Sequence, residues 1–473
     1  MATKLTRREF TRMSGMASAV ALGGWRGLQG QMAAPAGSAP AIPVGAAAAD
    51  FTLEIAPYVV EASPKHKFPT LAYNGQVPGP LLRMTQGKPV TIDIHNRSSE
   101  ADIVHWHGLF LPVAADGAME EGSPMIAAGA STRISFTPDP AGFRWFHTHT
   151  FAGDDLRKAQ YGGEHGFLLI EPKGAADEPG FDREVFLALH DWGGHEMSAG
   201  DGSAMPAYDV STINGKMLGF GEPVKVQQGE RVMLHVLNSS PTEVHWVALA
   251  GHSFKVVALD GNPVARPQTV KMLRLAPAER VSAVVEMNAP GVWVLGEVRR
   301  HVYAAGMGIV VEYAGTTGAP KWDQPQDLIW NYSDFAAGAA QSAEKGAAAQ
   351  DAVEIPLTFE SKFQGHGSEE KWLINGKSYP ETESPALQAG RRYRLVMKNL
   401  SLDDHPIHLH RHTFEVTSVG GVAMRGLMKD VVLVPAKSTA EVEFVADNPG
   451  NTLLHCHQQD HMDRGFMMVL KYA

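Results

Sequence analysis

The chain has one cysteine, and it stands among histidines: His455-Cys456-His457-Gln458-Gln459-Asp460-His461. A thiolate beside neutral imidazoles is a soft, nitrogen-rich donor set, and a Cys with two His favours copper. On an extended strand successive side chains point to opposite faces, so Cys456 would face one way and His455 and His457 the other. One short segment can then bind metal on both sides, with a covalent path between the sites. A buried structural cysteine beside incidental histidines is the competing reading. Three further clusters weigh against it: His105-Trp106-His107-Gly108, His147-Thr148-His149 and His405-Pro406-Ile407-His408-Leu409-His410. Each holds a His-x-His pair, whose spacing on extended backbone turns both rings to one face. A single pair is weak, but four pairs, two early and two late, are strong.

On these motifs the chain, from about residue 50 onward, resembles the three-domain, laccase-like multicopper oxidases. The resemblance implies four coppers per chain. In it His405, Cys456 and His461 match the ligands of a mononuclear type 1 copper, and His105 and His408 those of a type 2 copper. His107, His147, His149, His410, His455 and His457 match the ligands of a coupled type 3 pair. Electrons would pass from the type 1 site through Cys456 to His455 and His457, and dioxygen would be reduced to water at the three-copper cluster. The axial position of the type 1 site falls on Phe466, which donates no lone pair; this favours Cu(I) and a comparatively high reduction potential. A one-residue slip would put Met467 there, although strand alternation turns Met467 away. Asp116 matches a family aspartate near the type 2 copper that serves proton delivery, while its plainer reading is a turn residue in Asp116-Gly117. Some bacterial relatives carry a second relay glutamate after the last type 1 histidine. Here that residue is Met462, and Asp463 is the nearest acid to rebuild it. Arg411 replaces a usual glycine, and the sequence assigns it no role.

The elements that must position these residues repeat at domain scale. Asn74-Gly75, Asn214-Gly215 and Asn375-Gly376 each open a unit at a turn-forming dipeptide. Each is followed by a strand running from a glycine to an asparagine nine residues on: Gly87 to Asn96, Gly229 to Asn238 and Gly390 to Asn399. Alternation such as Val90, Ile92 and Ile94 argues for strands with one buried face. An all-β chain of three Greek-key β-sandwiches follows, and the resemblance makes them cupredoxin-like. Nine and eleven residues past Asn96 stand His105 and His107, and the same counts past Asn399 give His408 and His410. Past Asn238 they give Val247 and Leu249. Likewise Gly142, Gly291 and Gly450 lie five residues before His147, Gly296 and His455. The middle unit is therefore expected to bind no copper, with His245 and His252 out of register, and to act as a spacer. The expected division is a signal peptide and linker over 1–49, domains over 50–174, 175–314 and 353–473, and a connecting segment over 315–352.

At 473 residues the chain can bury several cores. It carries 51 Asp+Glu against 41 Lys+Arg with no long basic run, which gives nucleic-acid binding no electrostatic footprint. Of its 21 histidines, ten are the proposed ligands. The others, including His95, His235 and His412, are expected to be packed or hydrogen-bonded. Thr6-Arg7-Arg8-Glu9-Phe10 before a short apolar stretch resembles a twin-arginine export signal, pointing to a periplasmic or extracellular protein. The mature chain is expected to be a monomer without a membrane span, and with one cysteine it can form no intrachain disulfide.

The leading function is oxidation of phenols or aromatic amines at the outer edge of His461, with dioxygen as acceptor. The nearest rival has the same chemistry with a metal-ion reductant, Cu(I), Fe(II) or Mn(II). Cuprous oxidases often carry a methionine-rich insertion, whereas the 20 methionines here are scattered. Ferroxidases need carboxylates beside a type 1 histidine, and Asp403, Asp404, Asp460 and Asp463 are near in sequence. A copper-sequestering or non-catalytic relative is the reading from another class, and the intact ligand set weighs against it.

Overall fold

Each Asn-Gly dipeptide turns the chain in the same way. Asn74, Asn214 and Asn375 sit at φ 53°, 51° and 52°, and the glycines after them at 65°, 72° and 74°. Two consecutive left-handed residues make the tight turn that matches strand twist, which is why Asn-Gly is used. The Oδ1 of each asparagine accepts the backbone N–H of Glu54, Ala188 or Thr358, at 2.6, 2.7 and 2.7 Å. Its Nδ2 donates to the carbonyl of Thr52, Phe186 or Pro356, at 3.0, 2.9 and 3.0 Å. The turn is thereby fastened to the strand that opens its own unit.

The computed structural model describes residues 38–174, 180–198, 204–326, 328–337, 352–362 and 370–473, and the arginine pair near the start lies outside them. Three two-sheet sandwiches follow one another. In each, the opening strand pairs in parallel with the glycine-to-asparagine strand: Phe51–Ser63 with Val90–Asn96, Arg183–Trp192 with Arg231–Asn238, and Val353–Lys362 with Arg392–Asn399. The facing sheets carry the histidine strands. In the first unit the order is Gly79–Thr85, His165–Glu171, Gly142–Thr148, Val104–His107. In the third it is Ala386–Leu387, Met467–Tyr472, Thr452–Cys456, His405–Leu409, Val431–Val434. Val90, Ile92 and Ile94 are buried while Thr91 and Asp93 are half-buried, so the inward face meets Trp106, Phe146 and Leu168 of the other sheet. Among the described residues no helix is long and apolar enough to cross a membrane.

The second asparagine of each unit fixes the loop that leads into the strand where the first and third units carry a histidine pair. Its Oδ1 accepts the N–H of Ser98, Ser240 or Ser401, each at 2.9 Å. Its Nδ2 donates to the carbonyl of Glu100, Glu243 or Asp403, at 2.8, 2.7 and 2.7 Å. Glu100 and Asp403 stand four residues after their asparagine, but Glu243 stands five after Asn238. The middle loop is one residue longer, which corrects the count made along the sequence. His105 lies opposite His147 and His408 opposite His455, whereas the residue opposite Gly296 is Ala248, not Val247. The middle unit's counterparts of the histidine pairs are Ala248 and Ala250, with Gly296 and Val298 across the sheet.

Candidate metal centre

Cys456 ends the strand Thr452–Cys456 and lies opposite Ile407. Its Sγ is 3.9 Å from His405 Nδ1 and 3.5 Å from His461 Nδ1, and all three side chains are buried. The Ser401 hydroxyl, 2.7 Å from His405 Nε2, fixes that ring with Nδ1 toward the sulfur. His461 is held by the short helix Gln459–Asp463 and covered by Trp372, whose ring centre is 3.9 Å away. Burial pushes the Cys456 thiol well above its usual range, so a cation between these atoms is what would hold it as thiolate. Phe466 shares the apolar core around Cys456, its ring 4.7 Å from His405, whereas Met467 packs with Ala118, Leu453 and Met462.

On the other face eight histidines converge from the first and third domains. Their ligand atoms fall into three close groups: His105, His107 and His408; His107, His147 and His457; and His149, His410 and His455. The backbone sets most of the ring orientations. Nδ1 of His105, His147, His408 and His455 lies 2.7–2.9 Å from the carbonyls of Asp116, Thr148, Asp430 and Cys456. That turns each Nε2 inward, and Nε2 of His105, His147 and His408 has no hydrogen-bond partner. His107 is reversed, with Nε2 3.1 Å from Asp430 Oδ1 and Nδ1 unpartnered. Both nitrogens of His149 and His457 are unpartnered as well. Burial and the neighbouring rings hold His107, His147, His149, His408, His410 and His457 well below the usual imidazole range. So many buried, neutral, unpaired nitrogens aimed together are costly unless they serve as donors to a metal. The residues fit copper.

Carboxylates line the same space. Asp116 Oδ2 is 2.9 Å from His410 Nδ1 and 3.3 Å from His105 Nδ1. Glu121 Oε1 accepts the Leu453 N–H at 2.6 Å and lies 3.5 Å from His410 Nδ1, with burial and the Asp116 charge pushing its carboxyl well up. Glu120 Oε2 is 3.8 Å from His149 Nδ1, neither of its oxygens has a partner, and burial pushes it up to about 7. Asp463 is instead tied to the N–H groups of Ala152 and Gly153 and to Gln459. Glu120, Glu121 and Asp430 escaped the sequence reading, because nothing in Met119-Glu120-Glu121-Gly122 or around Asp430 marks them out.

Arg411, at φ 60° and buried, donates to Leu111 of the first domain and to Asn448, Pro449, Asn451 and Thr452 of the third. It clamps the two ligand-bearing domains together. His412 hydrogen-bonds the His410 carbonyl at 3.0 Å and Tyr472 at 2.7 Å, as expected of a packed histidine. His252 repeats that arrangement with Ala250 and Tyr313 at 2.8 and 2.5 Å. Outside the Cys456 group, Asp460 Oδ2 lies 4.0 Å from His461 Nε2, and Glu370 lies within the influence of Asp403 and Asp460. Asp404 turns to Arg274 of the middle domain, 3.2 Å away.

Sequence profiles described as multicopper oxidase match residues 56–175, 183–305 and 353–473, together most of the chain. The chain belongs to the multicopper oxidase family. As such it is a copper-dependent oxidoreductase that uses dioxygen and a reducing substrate, and its sandwiches are cupredoxin-like domains. It is 29% identical over 439 residues to multicopper oxidase MmcO of Mycobacterium tuberculosis, covering 85% of this chain and 83% of that one. It is 27% identical to a laccase of Phlebia radiata, covering 84% of each. The crystal structure of a multicopper oxidase from Pseudomonas thermotolerans superimposes with a TM-score of 0.69 at 25% identity, covering 90% of this chain and all of that one.

Proposed function

We propose that this multicopper oxidase is laccase-like. In this reading it takes electrons singly from phenols or aromatic amines at the outer edge of His461 and reduces dioxygen to water at the histidine cluster. The observation that carries it is the position of Cys456, one residue from His455 and His457, between two donor groups on opposite faces. His405, Cys456 and His461 would hold a type 1 copper, with Phe466 as a non-donating axial neighbour. His105 and His408 would hold type 2 copper, and the groups His107, His147, His457 and His149, His410, His455 the type 3 pair. Bound copper would supply the electron chemistry, one equivalent at the first site and four at the cluster. The protein's own part is to orient the rings, exclude water and manage protons. Asp116, Glu120 and Glu121 stand where protons are consumed. Asp460, beside the His461 edge, stands where a phenol losing an electron must also lose its proton.

A metal-ion reductant is the second reading, favoured by the carboxylates of Glu370, Asp403 and Asp460 near His461. We also propose export by the twin-arginine route, on the strength of Arg7-Arg8, and action as a monomer. Oxygen uptake by the copper-loaded protein, measured against a panel of phenols, aromatic amines, Fe(II), Cu(I) and Mn(II), tests the assignment. Turnover with phenols is expected. Turnover with metal ions alone would replace the laccase-like reading with the second, and no oxygen uptake with any reductant would sink both.

A further inference from the structure

The middle domain supplies no ligand position, yet one of its side chains reaches the cluster's wall. Arg280 opens the strand Arg280–Glu286 and is fully buried. It meets Asp430 of the third domain with two parallel bonds, Nη1 to Oδ1 and Nη2 to Oδ2, both 2.6 Å. Asp430 in turn touches two of the cluster's histidines. Its Oδ1 accepts from His107 Nε2 at 3.1 Å, and its backbone carbonyl accepts from His408 Nδ1 at 2.7 Å. Among the cluster rings oriented by a hydrogen bond to the backbone or a carboxylate, His107 is the one anchored through Nε2, and this anchor leaves its Nδ1 unpartnered in the ring that groups with His147 and His457.

Arg280 is itself held through both terminal nitrogens. It donates to the carbonyls of Ala278 and Asp260 at 3.0 and 3.1 Å. Arg144 of the first domain adds a bond to Asp430 at 3.3 Å and another to the Asp260 carbonyl at 2.5 Å. Gly108 follows His107, and a Cβ there would fall 2.6 Å from Asp430 Oδ2 and 2.9 Å from Arg280 Nη2. The glycine of the His-Trp-His-Gly motif is thus the gap through which the arginine fork meets the carboxylate.

Resting on the reading of His107 and His408 as copper ligands, we propose that Arg280 is a positioning residue of the trinuclear centre. By fixing both oxygens of Asp430 it sets the His107 ring and the backbone beside His408, so the middle domain is part of the cluster's scaffold and not a spacer. A planar two-pronged donor is needed, because one point of contact leaves the carboxylate free to rotate about it. Partners of this kind orient metal-binding histidines, and their loss costs about 10–100-fold in metal affinity or activity.

The test uses the full-length copper-loaded protein and its Arg280→Met and Arg280→Lys variants. Copper per chain, the paramagnetic resonance of cluster copper, the blue absorption, and kcat and KM for dioxygen are measured. Arg280→Met is expected to lose about 10–100-fold in kcat/KM for dioxygen, to uncouple the type 3 pair or lower its copper content, and to keep the blue band. Arg280→Lys, with charge but no fork, should lie between. A folded Arg280→Met variant with unchanged copper, coupling and oxygen kinetics would overturn the proposal. If Arg280→Met does not fold, Arg280→Lys decides alone: altered type 3 coupling with an intact blue band supports the proposal, and unaltered coupling overturns it. Wild-type protein lacking a coupled pair would overturn the ligand reading beneath it, a failure visible before any substitution.

Discussion

His245 and Glu297 face each other at 3.0 Å in the middle domain, at the two strand positions that His405 and Cys456 hold in the third. In the first domain the same two positions are Asp102 and Thr148, bonded at 2.8 Å. One pair of facing sites in a repeated sandwich thus serves a threonine–aspartate hydrogen bond, a buried ion pair and a candidate metal donor pair. In the middle domain Asp191 takes the other imidazole nitrogen at 2.9 Å, so both ring nitrogens are spoken for by carboxylates. Burial works against the charged ring, but Asp191 and Glu297 hold it up at about 9.

A ring whose folded value is about 9, against 6.5 when free, contributes stability that is complete below 6.5 and is lost as pH rises through about 9. His245→Gln takes the cation from buried Asp191 and leaves Glu297 with Arg299 alone, and should destabilise by about 3 kcal/mol near neutrality. The gap in melting temperature between variant and wild type should close as pH is raised from 6.5 to 9. Copper content should not change. Loss of one copper per chain would mean that His245 is a ligand after all.

Cys456→Ser should abolish the blue colour and steady-state turnover while the cluster keeps its copper. Serine removes the thiolate donor, but His455 and His457 face the other side of the strand and keep their backbone contacts. Absorption spectra and metal analysis check this, and retained blue absorption would contradict it.

Glu120 gives a pH signature. Burial pushes its carboxyl up to about 7, so it holds a proton below that pH and loses it above. Turnover under saturating reductant and oxygen should decline as pH rises through about 7. Glu120→Gln should lower it by about 100-fold at acid pH, the low end of what a positioned proton donor contributes, and should erase that decline. A profile identical to wild type would remove Glu120 from proton delivery.

Phe466→Met should lower the potential of the type 1 site, since a thioether stabilises Cu(II) and a phenyl ring donates nothing. For one electron about 59 mV corresponds to tenfold in equilibrium constant, so phenols that are hard to oxidise should slow first. Redox titration of the blue band checks the direction. An unchanged or raised midpoint would point to Met467 as the residue to test next.

How much could be read in advance depended on distance along the chain. The His-x-His pairs and the Asn-Gly turns are local patterns, and the strands they imply are those the chain forms. The repeat count failed only in the middle unit, where one extra residue between Asn238 and Glu243 shifts the positions counted from Asn238, while the count from Gly291 to Gly296 holds. That single residue hid the kinship of His245 with His405 and of His252 with His412. Asp430 stands 323 residues from the histidine it anchors, and Arg411 reaches 300 residues back to Leu111. Such partners leave no periodicity to find. Glu120 and Arg280 are ordinary charged residues in sequence, and only burial against specific neighbours distinguishes them.

Every one of the three histidine groups mixes residues from the first domain with residues from the third. No half of the protein can therefore capture the cluster's metal by itself, and partial folding leaves each of these three groups incomplete. Once bound, the ions become rivets between two parts of the chain more than 300 residues apart. Ligands that bind only the assembled state raise its stability, by about 4 kcal/mol at a thousandfold excess over the dissociation constant. Chelation should thus part the first domain from the third well before either sandwich melts.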